Sequence, residues 1–579
     1  MKKNSYAIAV LSLVSGLVVA NVFAQSSTTN ASTNIVDPTT AVTMASGAER
    51  TKEQLALRFE LADLALKIDP SVKRISGQAS LQFLATEPVA HIILDLDKNL
   101  PIDAIKINGL ILSKDAYSNP EGKLTITLPK ALAKSERVTV EIAYQGSPRI
   151  AVKAPWDGGF VWSKAPTGEP WVASAVQGEG CDLFWPCIDH PMGKPELMKI
   201  HMTVPAPLVV AGNGIAKGME EKDGWRTYHW QTKMPSTYGI AVNVGPFAQL
   251  TGSYQSRFGN AIPLSMWHLP GNQAKAQDLF KEFAPMLDFF ESRIGPYPFG
   301  FEKMGVVETP HLGMEHQTVN AYGNDYLKSQ YGYDWLLQHE FAHEWFGNQL
   351  TNKNWDDLWL HEAFGTYMQP LYMRYLRGER EYQSNLQEQR SKIVNQFPIV
   401  AGRPMLEKEV SHGPGNDVYY KGSLMLHTLR EMIGDEKFYK IVRLAVYGRN
   451  DPKPGNFAPR YSDTKEFIQI VNQVTKHDLN WFFKVYLYQV KLPELIVQQD
   501  GARLKLQWKT QDNVDFPMPI EIRVNEKIQR VVMHKGRGEI VLPANAYFTI
   551  DPYSKVLRHD AHLEEFKKDQ FERRKAKSK

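Results

Sequence analysis

A segment near the middle of the chain carries residues whose types and spacing suit a metal ion. His339-Glu340-Phe341-Ala342-His343 is followed, after eighteen intervening residues, by Glu362. Residues four apart share one face of an α-helix, so His339 and His343 can direct imidazole nitrogens at one ion. Glu362 supplies a third ligand and a fourth position stays open, which is typical of a catalytic zinc site. Glu340 lies beside the histidines without needing to ligate, and we predict that it is the general base.

The neighbours of these polar residues are large and apolar, which predicts a buried site. Trp335-Leu336-Leu337 precedes the motif, and Glu362 lies among further Trp, Leu and Phe residues. A buried carboxylate without a partner is costly, and a nearby dication supplies one. We interpret His361 as a residue that packs beside the site. Asp356 or Asp357 either orients a ligand histidine or belongs to an exposed turn.

The elements that must position these residues follow from the hydrophobic periodicity. From 51 to 250, short alternating runs separated by turn residues predict an N-terminal β-sandwich domain. From 251 to 490 helical periodicity dominates, and the metal motif lies in this mainly helical stretch. Alternation returns from 491 to 560, where we predict a small C-terminal β-domain, and 561–579 form a basic tail. The fold class is therefore α+β with several domains, which the length of 579 residues also favours.

The beginning of the chain is typical of a secretory signal peptide over residues 1–24. Lys2 and Lys3 precede an apolar run, and Val22-Phe23-Ala24 suits cleavage after Ala24. The apolar run is shorter than the roughly 20 residues that span a membrane, so we predict no stable membrane anchor. We expect a bacterial protein exported to the periplasm or the medium. Residues 25–50 are rich in Ser, Thr, Asn and Ala, which is typical of a flexible linker.

The distribution of charge gives no reason to expect nucleic acid as a partner. The formal net charge of the whole chain is +4. Residues 567–579 contribute +5 and Lys2 and Lys3 another +2, so the rest of the chain is near −3.

The chain has two cysteines, Cys181 and Cys187. An oxidising compartment permits a bridge between them, and the sequence leaves this pairing open.

Four ordered runs of this sequence resemble one family of zinc peptidases. HEFAHEWFGNQLTNKNWDDLWLHEAF, from His339 to Phe364, resembles the zinc core of the aminopeptidase N and leukotriene hydrolase family, which are gluzincin metallopeptidases. LGMEH at 312–316 resembles the GxMEN exopeptidase motif of that family, and WPCIDHP at 185–191 resembles its FPCxDEP signature. DVYYKG at 417–422 resembles the segment that holds the family's catalytic tyrosine. The resemblance implies a thermolysin-like catalytic domain.

The resemblance also implies roles for residues outside the metal motif. Tyr419 would donate a hydrogen bond to the oxyanion of the reaction. Glu315 would bind the α-ammonium of the substrate, with Gln177 as its polar partner. Backbone groups of Gly313 and Met314 would hold the substrate main chain. One zinc ion per chain and peptides with a free N-terminus are the expected cofactor and substrate, and the oligomeric state is left open.

The expected function is that of an exported zinc-dependent aminopeptidase, which hydrolyses N-terminal residues from peptides by Glu-assisted attack of zinc-bound water. Two other functions remain as alternatives: an epoxide hydrolase of the leukotriene-hydrolase type, and a catalytically silent binding protein on the same scaffold. Retention of Glu340 and Tyr419 speaks against the silent protein.

The sequence also departs from the family in places. His316 stands where the family has Asn, and because imidazole titrates near neutrality we expect it to make activity sensitive to pH. In the resembled family, the residue that corresponds to Cys187 is usually a buried thiol. Many members continue into a long helical-repeat domain. After Val490 only 89 residues remain here and they alternate as strands do, so we predict that this domain is absent.

Overall fold

The computed structural model describes residues 39–577, so the predicted signal peptide lies outside the described part of the chain. Within those residues, no helix combines the length and the apolar character needed to cross a membrane. Residues 39–50 form turns that pack on the N-terminal domain, where the Thr40 hydroxyl donates to the Glu121 carbonyl (2.5 Å) and Ser46 donates to Asp189 (3.3 Å). These contacts differ from the flexible linker predicted for this stretch.

The N-terminal domain consists of strands that alternate inward and outward side chains. Along one of them Met198, Ile200 and Met202 are fully buried, whereas the residues between them are half-exposed. This alternation arises because successive side chains of a strand point to opposite faces of its sheet. A short helix and the strands have these bounds: α1 (Lys52–Leu55), β1 (Leu57–Asp69), β2 (Arg74–Ala85), β3 (Val89–Asp95), β4 (Ile102–Ile107), β5 (Leu110–Ile111), β6 (Tyr117–Ser118), β7 (Lys123–Leu132), β8 (Arg137–Gly146), β9 (Gly159–Lys164), β10 (Pro170–Ala175), β11 (Leu197–Pro205), β12 (Val209–Val210), β13 (Ile215–Lys222), β14 (Trp225–Lys233) and β15 (Asn243–Gly245).

These strands form a large sheet and two smaller ones. The large sheet has eight strands in the order β13-β14-β11-β1-β2-β8-β4-β5. The smaller sheets have the orders β12-β15-β10-β9 and β3-β7-β6. Within the large sheet β1 pairs with β11 in parallel and with β2 in antiparallel orientation. The β-rich N-terminal domain that the sequence predicts is confirmed.

A disulfide bond joins Cys181 to Cys187, a pairing that the sequence had left open. Both side chains are fully buried in the segment that follows β10. The chain therefore differs here from the resembled family, in which the second cysteine is usually a thiol. The loop closed by the bond is short, and it begins four residues after Gln177.

The second domain, which the sequence predicts to be catalytic, begins with a mixed sheet and continues mainly as helices. Its sheet has the order β16-β17-β18-β20-β19, in which β17, β18 and β20 are parallel and β19 is an antiparallel edge strand. Its strands and helices have these bounds: β16 (Ala248–Gln255), β17 (Ala261–His268), α2 (Gln273–Phe280), α3 (Phe283–Arg293), β18 (Met304–Glu308), β19 (Gly313–Met314), β20 (Asn320–Tyr322), α4 (Trp335–Trp345), β21 (Leu350–Asn352), α5 (Trp359–Arg377), α6 (Glu379–Ser391), α7 (Glu407–His412), α8 (Asn416–Ile433), α9 (Asp435–Tyr447), β22 (Arg460–Ser462), α10 (Thr464–Thr475) and α11 (Asn480–Tyr486).

The last part of the chain returns to strands, as the sequence predicts. Two three-stranded sheets have the orders β23-β24-β27 and β26-β25-β28. The segment that follows β28 contacts α8, where the Thr428 hydroxyl accepts a hydrogen bond from the backbone of Leu557 (2.9 Å). The predicted basic tail forms a helix over most of its length. The bounds are β23 (Glu494–Asp500), β24 (Arg503–Lys509), β25 (Ile520–Val524), β26 (Lys527–Val531), β27 (Arg537–Val541), β28 (Phe548–Ile550) and α12 (Ala561–Lys577).

Candidate active site

The predicted ligands converge at the contact between α4 and α5. Asp334 caps the N-terminus of α4 by accepting a hydrogen bond from the backbone of Leu337 (3.0 Å), which fixes where the helix begins. The Nε2 atoms of His339 and His343 lie 3.1 Å apart. Glu362, in the first turn of α5, places its Oε2 atom 3.6 Å from the former nitrogen and 3.5 Å from the latter. One nitrogen or oxygen atom from each of the three residues therefore faces one point.

The chemistry of this cluster fits a divalent cation. Glu362 Oε2 is buried and accepts no hydrogen bond from the described residues. Burial alone would raise the pKa of Glu362, but the imidazoles of His343, His339 and His361 together outweigh burial and lower that pKa to about 2. Burial likewise opposes charge on His343, and attraction to Glu362 reverses that effect and raises its pKa to about 10. The buried Glu362 carboxylate therefore favours a positive charge beside it, and a metal ion bound by the three residues would supply that charge.

The orientation of the ligands comes partly from the backbone. His343 Nδ1 lies 2.9 Å from the carbonyl oxygen of Phe346, so an Nδ1–H donor leaves the Nε2 lone pair for a metal. Neither aspartate considered for this task fulfils it. Asp356 accepts hydrogen bonds from the backbone of residues 401 and 402, and Asp357 accepts from the backbone and hydroxyl of Thr464. Both are buried, so the exposed turn is also wrong.

Glu340 lies against the edge strand β19 at Gly313, a position where a residue larger than glycine would not fit. A Cβ atom built on Gly313 would lie 2.3 Å from Glu340 Oε1 and 2.7 Å from a methyl carbon of Leu336. The backbone of β19 therefore approaches the Glu340 carboxylate closely. Burial raises the pKa of this carboxyl group well above its usual value. A carboxylate whose proton affinity is raised suits a group that accepts a proton from water.

Glu315 is held beside this cluster by residues of the N-terminal domain. Its Oε1 atom accepts one hydrogen bond from Gln177 Nε2 (2.8 Å) and another from the Tyr238 hydroxyl (2.8 Å). The Asn348 side chain donates to its backbone carbonyl (3.1 Å). Glu315 is itself buried. One of its carboxylate oxygens lies within 4.8 Å of a carboxylate oxygen of Glu340 and of a ring nitrogen of His343. A buried carboxylate therefore borders the predicted metal ligands.

Tyr238 is the member of this arrangement that the sequence did not reveal. It lies outside any helix or strand, and it is separated by 77 residues from the carboxylate that it contacts. No motif of the sequence marks it. The only signal is general: a buried tyrosine hydroxyl needs a hydrogen-bond partner.

Close packing of two helices brings Tyr419 to the same place. A Cβ atom built on Gly422 of α8 would lie 2.5 Å from the Cβ of Ala363 of α5, so glycine permits the approach. The Tyr419 ring is centred 6.3 Å from that of His339. Burial, together with the nearby Glu362 carboxylate, raises the pKa of the Tyr419 hydroxyl, which therefore stays a proton donor. The neighbouring Tyr420 instead packs against Lys392, whose ammonium nitrogen lies 5.0 Å from the centre of the Tyr420 ring.

His316 does not behave as the sequence suggested. It is fully buried, and burial followed by the neighbouring His311 lowers its pKa to about 3. The imidazole is therefore neutral near pH 7, and the expected sensitivity to pH from this residue is wrong. His361, in contrast, packs beside the site, where its Nε2 atom accepts a hydrogen bond from the backbone of Asn352 (3.1 Å).

Comparison with protein families matches two models to this chain. Residues 282–486 match the Peptidase family M1 domain, and residues 59–238 match the Peptidase M1 N-terminal domain. The range 282–486 includes the three predicted metal ligands and also Glu315, Glu340 and Tyr419. The range 59–238 includes Gln177 and Tyr238. The two matches thus cover both sides of the site.

Curated relatives and solved structures agree with these matches. The Probable aminopeptidase 1 of Saccharolobus solfataricus is 23% identical over 480 residues, which are 78% of this chain and 57% of the relative. Endoplasmic reticulum aminopeptidase 2 of Homo sapiens is 22% identical over 74% of this chain and 50% of its own length. The chain thus spans about half the length of the curated relatives it matches. A variant of the M1 zinc metallopeptidase from Deinococcus radiodurans superimposes with a TM-score of 0.65 and 25% identity over 78% of this chain and 98% of that one.

Proposed function

Since the chain belongs to peptidase family M1, we propose that it is a zinc-dependent aminopeptidase that removes N-terminal residues from peptides. One observation carries the proposal. Glu315, held by Gln177 and Tyr238, places a buried carboxylate beside three convergent metal ligands. A peptidase that cleaves within chains has no use for such an anion, whereas a free α-ammonium group needs one.

His339, His343 and Glu362 would hold the zinc ion. Bound there, zinc supplies Lewis-acid chemistry, polarising a carbonyl oxygen and lowering the pKa of water. The protein's own groups then have separate tasks. Glu340 accepts a proton from the attacking water and later delivers it to the leaving amine. The Tyr419 hydroxyl donates a hydrogen bond to the oxyanion that develops on the peptide carbonyl.

Binding of the substrate follows from the position of the anchor. Glu315 accepts charge-assisted hydrogen bonds from the α-ammonium group, which offsets the cost of burying the carboxylate. Gly313 of β19 lies beside Glu340, and the backbone groups of Gly313 and Met314 would align the substrate main chain with the general base. The first peptide bond is then the only one within reach of the zinc ion and Glu340. The proposal includes export to the periplasm or the medium, which rests on residues 1–24 of the sequence alone.

The experiment compares peptides that differ only at the N-terminal amine. Fluorogenic aminoacyl amides and their N-acetylated forms are offered to the purified protein, with and without a zinc chelator. We expect cleavage of the free amines, very little cleavage of the acetylated forms, and loss of both with chelator. Glu315→Gln keeps the size and one acceptor oxygen but removes the charge, so it should raise KM for free amines and leave zinc content unchanged. Equal rates on free and acetylated substrates would refute the aminopeptidase while leaving a metallopeptidase.

A further inference from the structure

A row of polar side chains crosses the outer face of the eight-stranded sheet, on elements that contribute nothing to the site above. Two histidines lie directly opposite each other in this row, His201 on β11 and His229 on β14. Asp63 follows on β1 and Glu220 on β13, so the row covers four adjacent strands. The histidine side chains retain 30% and 27% of their exposure, which leaves them open to ions from solution.

The two imidazoles face each other through the same ring atom. The Nδ1 atoms of His201 and His229 are 2.6 Å apart, and the rings meet at 65° with centroids 4.8 Å apart. Each Nε2 atom points away from the pair toward a carboxylate. His201 Nε2 lies 3.0 Å from Asp63 Oδ1, and His229 Nε2 lies 3.8 Å from Glu220 Oε1.

Asp63 favours a proton on the Nε2 atom of His201. Asp63 accepts a hydrogen bond from His201 Nε2–H, and this bond helps to keep the pKa of Asp63 below its ordinary value. Glu220 Oε1, on an exposed side chain, lies 3.8 Å from His229 Nε2, which is too far for a hydrogen bond but close enough to attract a cation at this end of the row. When each Nε2 atom carries the proton, both Nδ1 atoms present lone pairs. Two lone pairs facing each other at 2.6 Å repel unless a cation lies between them.

We propose that His201 and His229 form a surface binding site for a divalent transition-metal ion, taken up through both Nδ1 atoms, with Cu²⁺ as the preferred ion and water as the remaining ligands. The pattern in which each imidazole gives one nitrogen to the metal and the other to a carboxylate recurs at histidine metal sites. Here His201 shows this pattern with Asp63, and His229 has the Glu220 carboxylate nearby at 3.8 Å. The occupant is small and cationic, since the flanking Asp63 and Glu220 repel anions.

The separation of the nitrogens favours copper over zinc. Two nitrogens about 2.0 Å from one ion are about 2.8 Å apart at the right angle of a square-planar site and about 3.3 Å apart in a tetrahedral one. The observed 2.6 Å is nearer the first value, so a small rotation of the rings suffices. Copper also binds nitrogen ligands more tightly than the other divalent ions of its row. The three-ligand cluster on α4 and α5 differs in both ligand number and location.

The test uses the full chain without a histidine tag, loaded with one equivalent of zinc. Cu²⁺ binding is measured by calorimetric titration. The zinc content of the protein is measured afterwards, so that copper bound in place of zinc can be subtracted. Electron paramagnetic resonance reports the number of nitrogen ligands to the copper. We expect one further equivalent of Cu²⁺ with two nitrogens. His201→Gln and His229→Gln should each weaken this binding by at least tenfold, and Asp63→Asn by about tenfold through the loss of its hydrogen bond.

The matched control is His91→Gln, which removes a partly exposed strand histidine whose side-chain partner is Thr127 rather than a second imidazole. It should bind copper as the native protein does. Unchanged unfolding temperature in all variants shows that the sheet is intact. Should the His201→Gln, His229→Gln double variant keep the extra copper, or the native protein bind none, the site does not exist and the pair shares a proton instead.

Discussion

Replacement of Gly313 by Ala tests whether the general base depends on a strand that leaves it room. The new Cβ would lie 2.3 Å from Glu340 Oε1, whereas ordinary contact begins at 3.4 Å, so the carboxylate must retreat by about 1.1 Å. It has little space for this, because Leu336 lies 2.7 Å from the same Cβ and the site is buried. A shift of about 1 Å in a reacting group costs roughly 10²-fold in rate.

We therefore expect Gly313→Ala to lower kcat by about 10²-fold while one zinc per chain is kept. The measurement is steady-state hydrolysis of a fluorogenic aminoacyl amide, together with metal analysis of the same sample. Gly365→Ala is the matched control. Its Cβ would meet ring carbons of His339 and His343 at 3.5 Å, which is ordinary contact, so kcat should stay within a few-fold of the native value. Activity of Gly313→Ala within threefold of the native protein would show that Glu340 is not the base, or that β19 yields without displacing it.

Three further variants test other parts of the site and its surroundings. Glu340→Gln should keep zinc and lose nearly all turnover, because an amide cannot accept the proton of water; substantial activity in a metal-replete sample would contradict this. Tyr419→Phe should lower kcat by about 10²-fold with an unchanged metal content, and a normal kcat would make the tyrosine a packing residue. Burial lowers the pKa of Lys194 from 10.5 to about 7, so between those values the unfolded chain binds a proton that the folded chain does not. The unfolding free energy of the native protein should therefore rise relative to Lys194→Met as pH increases from 7 to 9, by up to about 1.4 kcal/mol per unit. Urea denaturation at several pH values measures this, and a constant difference would refute it.

The sequence predicted most successfully where the information is local. The convergence of His339 and His343, the predicted metal ligands on α4, follows from helical geometry alone, since a spacing of four residues places them on one face whatever surrounds the helix. The order of β-rich, mainly helical and β-rich domains likewise follows from the period of the apolar residues. Family resemblance added Glu315 and Gln177, which the structure brings within 2.8 Å of each other.

Properties that depend on tertiary environment could not be predicted in the same way. His316 carries the ordinary proton affinity of imidazole in a sequence, and only the surrounding fold shows that burial lowers its pKa to about 3. Asp356 and Asp357 stand next to each other, yet they bind segments about 45 and 107 residues farther along the chain. The bond between Cys181 and Cys187 depends on where the backbone places two thiols, which their spacing alone does not determine.

Glu315, the proposed anchor for the substrate amine, joins two parts of the chain at the candidate site. Residues before 250 hold Glu315 through Gln177 and Tyr238, whereas Glu340 and the metal ligands belong to the helices that follow. Recombination between related genes could therefore exchange the residues that hold this anchor without disturbing the residues proposed to perform hydrolysis. A chimaera that joins the N-terminal domain of one relative to the catalytic domain of another should inherit the hydrolytic competence of the second parent and some of the selectivity of the first.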